Sequence, residues 1–277
     1  MLRKRLSYIE TLLWVSIISA AELNVSNLAN LLIEAERENQ LLPVLSEQYP
    51  ELDIETAYSV QKAYVQRKLT DDEIAGFKAG LTSEETQRKF GMTFPVSGVL
   101  FLSGEWHGSP IIDKSTFNAP MIETEIGFLV REPITHPLKN TPELYKRIKA
   151  VMPVIELPDI GFTNMKKLKA VDIILANVSS AQYIIGREKE TAKLNLNNIT
   201  VTLSLNGRIV NQGKGSDALE DQWNALLWLV NSITKHGWKI EPGNILITGV
   251  LGNMIPGKNG KYVADYGSFG KISFEIR

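Results

Sequence analysis

Glu123, Glu125 and Glu156 are the residues of this 277-residue chain whose type and spacing point most directly to chemistry. The first two lie in the apolar run MIETEIGFLV at 121–130, the third in VMPVIELPD at 151–159, and both runs read as strands. Successive side chains of a strand alternate faces, so Glu123 and Glu125 point the same way, opposite Ile122, Thr124 and Ile126. Neighbouring carboxylates repel, and burying them unpaired is costly. A third acid on an adjacent strand adds to that repulsion unless a cation sits among them. Three carboxylates with room left for water and substrate suit a hard divalent cation, Mg2+ or Mn2+. A solvated face of an antiparallel sheet produces the same alternation; the strongly apolar flanks weigh toward the metal site.

Composition removes competing chemistries. The chain is 44% hydrophobic and 22% charged, as expected of a globular enzyme, with 30 basic residues against 31 acidic ones. No basic stretch is interleaved with aromatics, so a nucleic-acid partner is not expected. Without cysteine there is no disulfide, thiolate metal site or cysteine nucleophile. Three histidines (His107, His136 and His236) are too few for a His-rich zinc centre. Gly213-Lys214-Gly215-Ser216 lacks the spacing of a P-loop.

Several elements must position the acids. Residues 1–21 have the layout of a secretory signal peptide: Arg3, Lys4 and Arg5, then an apolar stretch over 11–21 that ends in small residues suiting cleavage after Ala21. The stretch is short for a membrane span. The expectation is an exported or periplasmic protein with no stable membrane insertion after processing. Glu10, abutting the apolar run, supports the alternative of a buried N-terminal helix in a cytoplasmic protein. An amphipathic helix is predicted over 26–40, with Leu28, Leu31, Leu32 and Ala35 inward. A second is predicted over 54–69, capped by Asp53 and burying Ala57, Val60, Gln61 and Tyr64. A glycine-interrupted strand follows at 74–81, then a helix from Ser83 to Phe90 and a strand at 98–101. From Pro120 the pattern is mostly β. Residues 199–205 alternate cleanly into an Asn206-Gly207 type I′ turn. A helix over 219–236, with Trp223, Leu226, Leu227, Val230 and Ile233 inward, ends at Gly237. Strands close the chain at 245–248, 262–266 and 271–276. The polar, glycine- and proline-containing stretch 105–118 marks a boundary between an N-terminal α/β region (22–110) and a β-rich metal-binding catalytic domain (111–277).

The order of several short motifs resembles the fumarylacetoacetate hydrolase superfamily, in particular its 2-keto-4-pentenoate hydratase and 4-oxalocrotonate decarboxylase branch. The likeness rests on GFKAGLTS at 76–83, Gln87, PVSGVLF at 95–101, IETEIGF at 122–128 and IELPD at 155–159. It continues through ANVSS at 176–180, Asn206-Gly207 and Ile247-Thr248-Gly249. The resemblance implies an α+β fold in which a mixed β-roll catalytic domain carries a smaller N-terminal helical region. It implies that Glu123, Glu125 and Glu156 hold the metal, in agreement with the strand reading. It places Lys78 in the active site, where an ammonium could neutralise the carboxylate of a 2-oxo acid or move a proton at the enol carbon. The alternative for Lys78 is an edge-strand lysine that discourages aggregation; the flanking Gly76 and Gly80 favour the site. Thr82, Asp159, Ser179 and Ser180 are the implied substrate-binding residues, a polar loop end being the other reading of the two serines. The family habit implies a homo-oligomer.

Two departures bear on the reaction. Family hydratases commonly carry aspartate where this chain has Val96, and many relatives read E-x-x-D-S-R where this chain has Glu156-Leu157-Pro158-Asp159-Ile160-Gly161. The expected activity is metal-dependent hydration of a small 2-oxo/2-hydroxy-dienoic acid through a stabilised enolate. Decarboxylation of a 2-oxo-enoate is the close alternative, followed by acylpyruvate C–C hydrolysis. An exported protein that binds organic acids without turnover is a reading of a different class.

Overall fold

The computed structural model of the protein describes residues 24–191 and 194–277, so the signal-like stretch 1–21 lies outside the described residues. Helix α1 (Val25–Arg37) begins where the Asn24 side chain accepts the Asn27 N–H at 3.1 Å. After α2 (Leu45–Gln48), α3 (Ile54–Lys68) starts in the same way, Asp53 accepting from Thr56 at 2.8 Å. The α3 face buries Ala57, Val60, Gln61 and Tyr64 as predicted. On α1 the buried stripe is Leu28, Ala29, Leu32 and Ala35; Leu31, predicted inward, is exposed. Ala29 is buried in its place, on a helix that packs against α3. No described helix is long and apolar enough to cross a membrane.

The chain then runs β1 (Ile74–Gly80), α4 (Glu84–Lys89), β2 (Val96–Phe101), β3 (Glu105–His107), β4 (Ile111–Ile112) and β5 (Met121–Val130). It continues α5 (Thr141–Tyr145), β6 (Ile148–Leu157), α6 (Ala170–Leu175), β7 (Gln182–Ile185), β8 (Thr200–Leu205) and β9 (Arg208–Lys214). The last elements are α7 (Gln222–Lys235), β10 (Ile245–Ile247), β11 (Ile255–Pro256), β12 (Gly260–Asp265) and β13 (Lys271–Ile276). The described strands form two curled, mixed sheets. One has the order β2-β1-β10-β5-β6-β7-β3 with β11 beside β5; the other has the order β4-β13-β12-β8-β9. The fold is therefore α+β, and β1 and β2 are hydrogen-bonded into the same sheet as β5 and β6.

Sequence patterning misplaces the start of α7. Leu219 and Glu220 have φ of +49° and +64°, which no α-helix accommodates, and Asp221 caps the helix by accepting from Asn224. The Asn206-Gly207 turn has φ of +50° and +80°, the signature of the predicted type I′ hairpin. Helices α5 and α6 were not predicted, being too short to show a 3.6-residue period.

The larger sheet separates two apolar clusters. Phe77, Ile122, Ile126, Phe128, Val151, Ile155 and Leu246 face the main core under the helices. The alternate residues Leu100, Leu129, Ala150, Met152, Val154, Tyr183, Ile245 and Ile247 form a second cluster on the other face. Register places Lys78, Glu123, Glu125 and Glu156 on that second face too, with Lys78 paired to Ile247, Glu125 to Val154 and Glu156 to Tyr183 of its apolar floor. Gly76 makes the parallel β1–β10 pairing: a Cβ there would overlap the Ile245 carbonyl oxygen, so backbone must shift to admit one. Gly76→Ala should therefore lower unfolding free energy by about 1–3 kcal/mol in a denaturant titration, the range for forced overpacking.

Candidate metal centre

The β5–β6 pairing sets Glu123 directly opposite Glu156, with Glu125 two residues along on the same face. One oxygen from each carboxylate lies within 4.8 Å of the other two. Glu125 and Glu156 are fully buried and Glu123 is half-buried. Each buried acid uses one oxygen internally. Glu125 Oε2 accepts the Gly249 N–H at 2.7 Å, and Glu156 Oε1 takes the Lys78 ammonium. Their other oxygens, Glu125 Oε1 and Glu156 Oε2, have no hydrogen-bond partner. Buried acceptors are rarely orphaned, because the desolvation cost is several-fold the worth of an ordinary hydrogen bond. Three carboxylates against one ammonium leave a formal −2. The donor set therefore fits a divalent, oxygen-seeking cation.

Lys78 is 2% exposed and holds Glu156 on one side and the Val178 carbonyl, at 2.9 Å, on the other. Burial by itself would pull its pKa down; attraction from Glu156, Glu123 and Glu125 outweighs burial and raises it. The carbonyl that holds it belongs to an unusual turn. Asn177, Val178 and Ser179 all have φ near +52° to +55°, a left-handed run that strains β-branched Val178 most. Asn177 clamps the turn to β2: its Oδ1 accepts the Val99 N–H at 2.7 Å and its amide donates to the Val99 carbonyl at 2.9 Å. Gly98 and Gly80 leave the space, since a Cβ on Gly98 would lie 2.8 Å from the Asn177 carbonyl oxygen and one on Gly80 2.5 Å from Val178 Cγ1. Val96, paired with Gly80 on the lysine's face, is fully buried. The sequence carries little signal for the turn, because neither Asn177 nor Val178 is a glycine.

Thr82, Asp159, Ser179 and Ser180 make no hydrogen bond to Lys78 or to the three acids. Thr82 is buried against Gly249, whose φ is +113°. Both Asp159 oxygens accept backbone N–H groups, from Asn118 at 2.8 Å and Ala119 at 2.6 Å. Asp159, Ser179 and Ser180 line a cavity of about 240 Å³ with Glu36, Tyr64 and Lys68, a lining that does not include Lys78 or the three acids. Gly249 and Tyr266 are site residues that spacing did not reveal. The Tyr266 hydroxyl donates to the Val154 carbonyl at 2.8 Å and accepts the Glu125 N–H at 3.2 Å, tying the smaller sheet to the acid-bearing strands.

Without a cation, burial and then repulsion from Glu156 push Glu123 up to about 8, and the same two causes raise Glu125 as well. An acid whose pKa is raised on folding binds more protons folded than unfolded. Its contribution is thus most favourable at low pH and is lost as pH climbs from the ordinary carboxylate range through about 8. Metal-free wild type should accordingly lose stability relative to Glu123→Gln between pH 5 and 8, read by paired denaturant titrations. A parallel pH dependence of the two proteins would contradict this electrostatic account.

No family model matches the chain. It is 30% identical over 254 residues to 2-oxo-hept-4-ene-1,7-dioate hydratase of Escherichia coli, covering 89% of this chain and 95% of that protein. It is 27% identical over 231 residues to 4-oxalocrotonate decarboxylase of Pseudomonas sp. (strain CF600), covering 83% and 87%. The structure superposes on 4-oxalocrotonate decarboxylase from Pseudomonas putida G7, complexed with magnesium and adipate, with a TM-score of 0.86 at 25% identity over 91% of this chain and 97% of the other. A fumarylacetoacetate hydrolase family protein from Yersinia pestis CO92 shares the fold, with a TM-score of 0.56 at 14% identity. With the strand-borne acids and the two curled sheets, this similarity over nearly the whole chain shows that it belongs to the hydratase and decarboxylase branch of the fumarylacetoacetate hydrolase superfamily.

Proposed function

We propose that the protein is a divalent-metal-dependent lyase that hydrates a small 2-oxo/2-hydroxy-dienoic acid. The observation that carries this reading is the convergence of three carboxylates, two with orphaned oxygens, beside a buried lysine. Glu123, Glu125 and Glu156 would hold Mg2+ or Mn2+, which when bound supplies Lewis-acid stabilisation of an enolate. Lys78 presents its ammonium at the same place with two of its three N–H donors engaged by Glu156 and Val178. The remaining donor is available to a substrate carboxylate or to the enol carbon, as fixed charge or as general acid. The apolar floor of Ile247, Met152 and Val154 keeps bulk water from one side of the acids, which strengthens every charge interaction there. Relatives at this similarity are named for hydration of 2-oxo acids with a carbon–carbon double bond.

Val96 supports a second reading, decarboxylation of a 2-oxo-enoate. Hydration requires a proton delivered to carbon and another removed from water, and a single lysine has to manage both. Loss of carbon dioxide leaves only one protonation at carbon. A buried valine beside Gly80, on the face that carries Lys78, adds no second proton-transfer group. The structural neighbour at a TM-score of 0.86 is named a decarboxylase.

Calorimetric titration of oxalate, an enolate mimic, with and without Mg2+ tests the common core of both readings. Binding should require the metal and vanish in Glu123→Ala, while a folded wild type that binds no oxalate with any divalent metal would refute the site. Incubation with 2-hydroxy-dienoates and with 2-oxo-enoate diacids should yield hydrated product in the first reading and carbon dioxide in the second. Tight oxalate binding with no product from either class would leave a non-catalytic organic-acid-binding protein.

A further inference from the structure

We propose that Gln222 and Thr248 are positioning residues for Glu125, acting through the Gly249 backbone to set the affinity of the centre for its cation; this rests on the metal reading above. Gln222 opens α7 and is fully buried, yet each of its polar groups has a partner. Its backbone N–H donates to Asn197 Oδ1 at 2.9 Å, its side-chain amide to the Gly215 carbonyl at 2.7 Å, and its Oε1 accepts the Thr248 hydroxyl at 2.6 Å. Thr248 is also fully buried and immediately precedes Gly249, the residue whose N–H holds Glu125 Oε2.

The segment is pinned from two other directions. Thr82 lies so close to Gly249 that a Cβ there would overlap its hydroxyl, and the Thr82 carbonyl accepts the Leu219 N–H at 3.3 Å in the approach to α7. Two residues on, the Leu251 N–H donates to the Thr124 carbonyl at 2.7 Å, and the Thr124 hydroxyl donates back to the Leu251 carbonyl at 2.8 Å. Thr124 is the chain neighbour of Glu125, so both ends of the hydrogen-bonded loop are referenced to β5. A carboxylate held by one oxygen presents the other in a fixed direction, and here that other oxygen is the orphaned Oε1. Apolar residues would fill the space of Gln222 and Thr248 with no hydrogen bonds to satisfy. A fully connected polar chain ending on a carboxylate is the arrangement by which outer groups orient metal ligands. Thr82, singled out from the sequence as substrate-binding, acts in this arrangement as a buttress for Gly249.

The test is Mn2+ affinity of the purified, metal-stripped full chain, read from free Mn2+ by electron paramagnetic resonance, with the thermal midpoint measured in parallel. Thr248→Val removes only the hydroxyl, Gln222→Met removes the acceptor at similar length, and Thr248→Ser keeps the hydroxyl. Thr248→Val and Gln222→Met should each weaken Mn2+ binding about tenfold, with Thr248→Ser close to wild type. Lowered thermal midpoints in the first two with unchanged Mn2+ affinity would mean a merely structural role and overturn the proposal. If Thr248→Val does not fold, Gln222→Met decides it alone. Wild type that binds Mn2+ no better than Glu125→Gln would overturn the metal reading itself, an outcome distinct from tight wild-type binding with unaffected variants.

Discussion

Mutual repulsion among three carboxylates, two of them fully buried, is the constraint around which the rest of the structure is arranged. Such a cluster is unfavourable in any fold that offers it nothing, because each acid must be stripped of water beside two others. Here one ammonium answers part of the charge, and single hydrogen bonds occupy one oxygen of each buried acid. The remaining oxygens have no hydrogen-bond partner, a deficit that a cation would answer. A sheet is well suited to this. Direct cross-strand pairing fixes Glu123 opposite Glu156 at the spacing of the ladder, and the two-residue period adds Glu125 on the same face.

The same requirement explains features that would otherwise look costly. A left-handed run through Asn177, Val178 and Ser179 stores backbone strain, yet it turns the Val178 carbonyl toward the Lys78 ammonium. Gly80 and Gly98 give up side-chain packing on the lysine's face so that this turn can approach the strands. The second apolar cluster shares the face with the acids and supplies their cross-strand neighbours Val154 and Tyr183. Tyr266 of the smaller sheet bridges β5 and β6 beside Glu125, which makes that sheet part of the site's frame.

Membership of the hydratase and decarboxylase branch places the chain among relatives named for both reactions, and Val96 lies buried on the face that carries Lys78. A family that passes through a common enolate can change its reaction by changing one proton-transfer group, leaving the ligand strands as they are.

The shared face of Glu123 and Glu125, the hairpin at Asn206-Gly207, the Asp53 cap and the buried face of α3 were legible in the sequence because each depends on local rules. These are the alternation of a strand, the positive φ of a turn and the orphan N–H groups of a helix start. Where local rules compete with packing, the sequence by itself misleads: Leu31 falls on the apolar stripe of α1 but faces outward, and Leu219 extends a helical pattern that its own φ forbids. The pairing of Glu123 with Glu156 needed the β5–β6 register, which no spacing along the chain specifies. Tertiary structure alone decided that Lys78 meets Glu156, that a strained turn holds it, and that Asp159 and the serines line a separate cavity. Those contacts join residues about eighty to one hundred positions apart, and they exist only because curled sheets bring distant segments to one face.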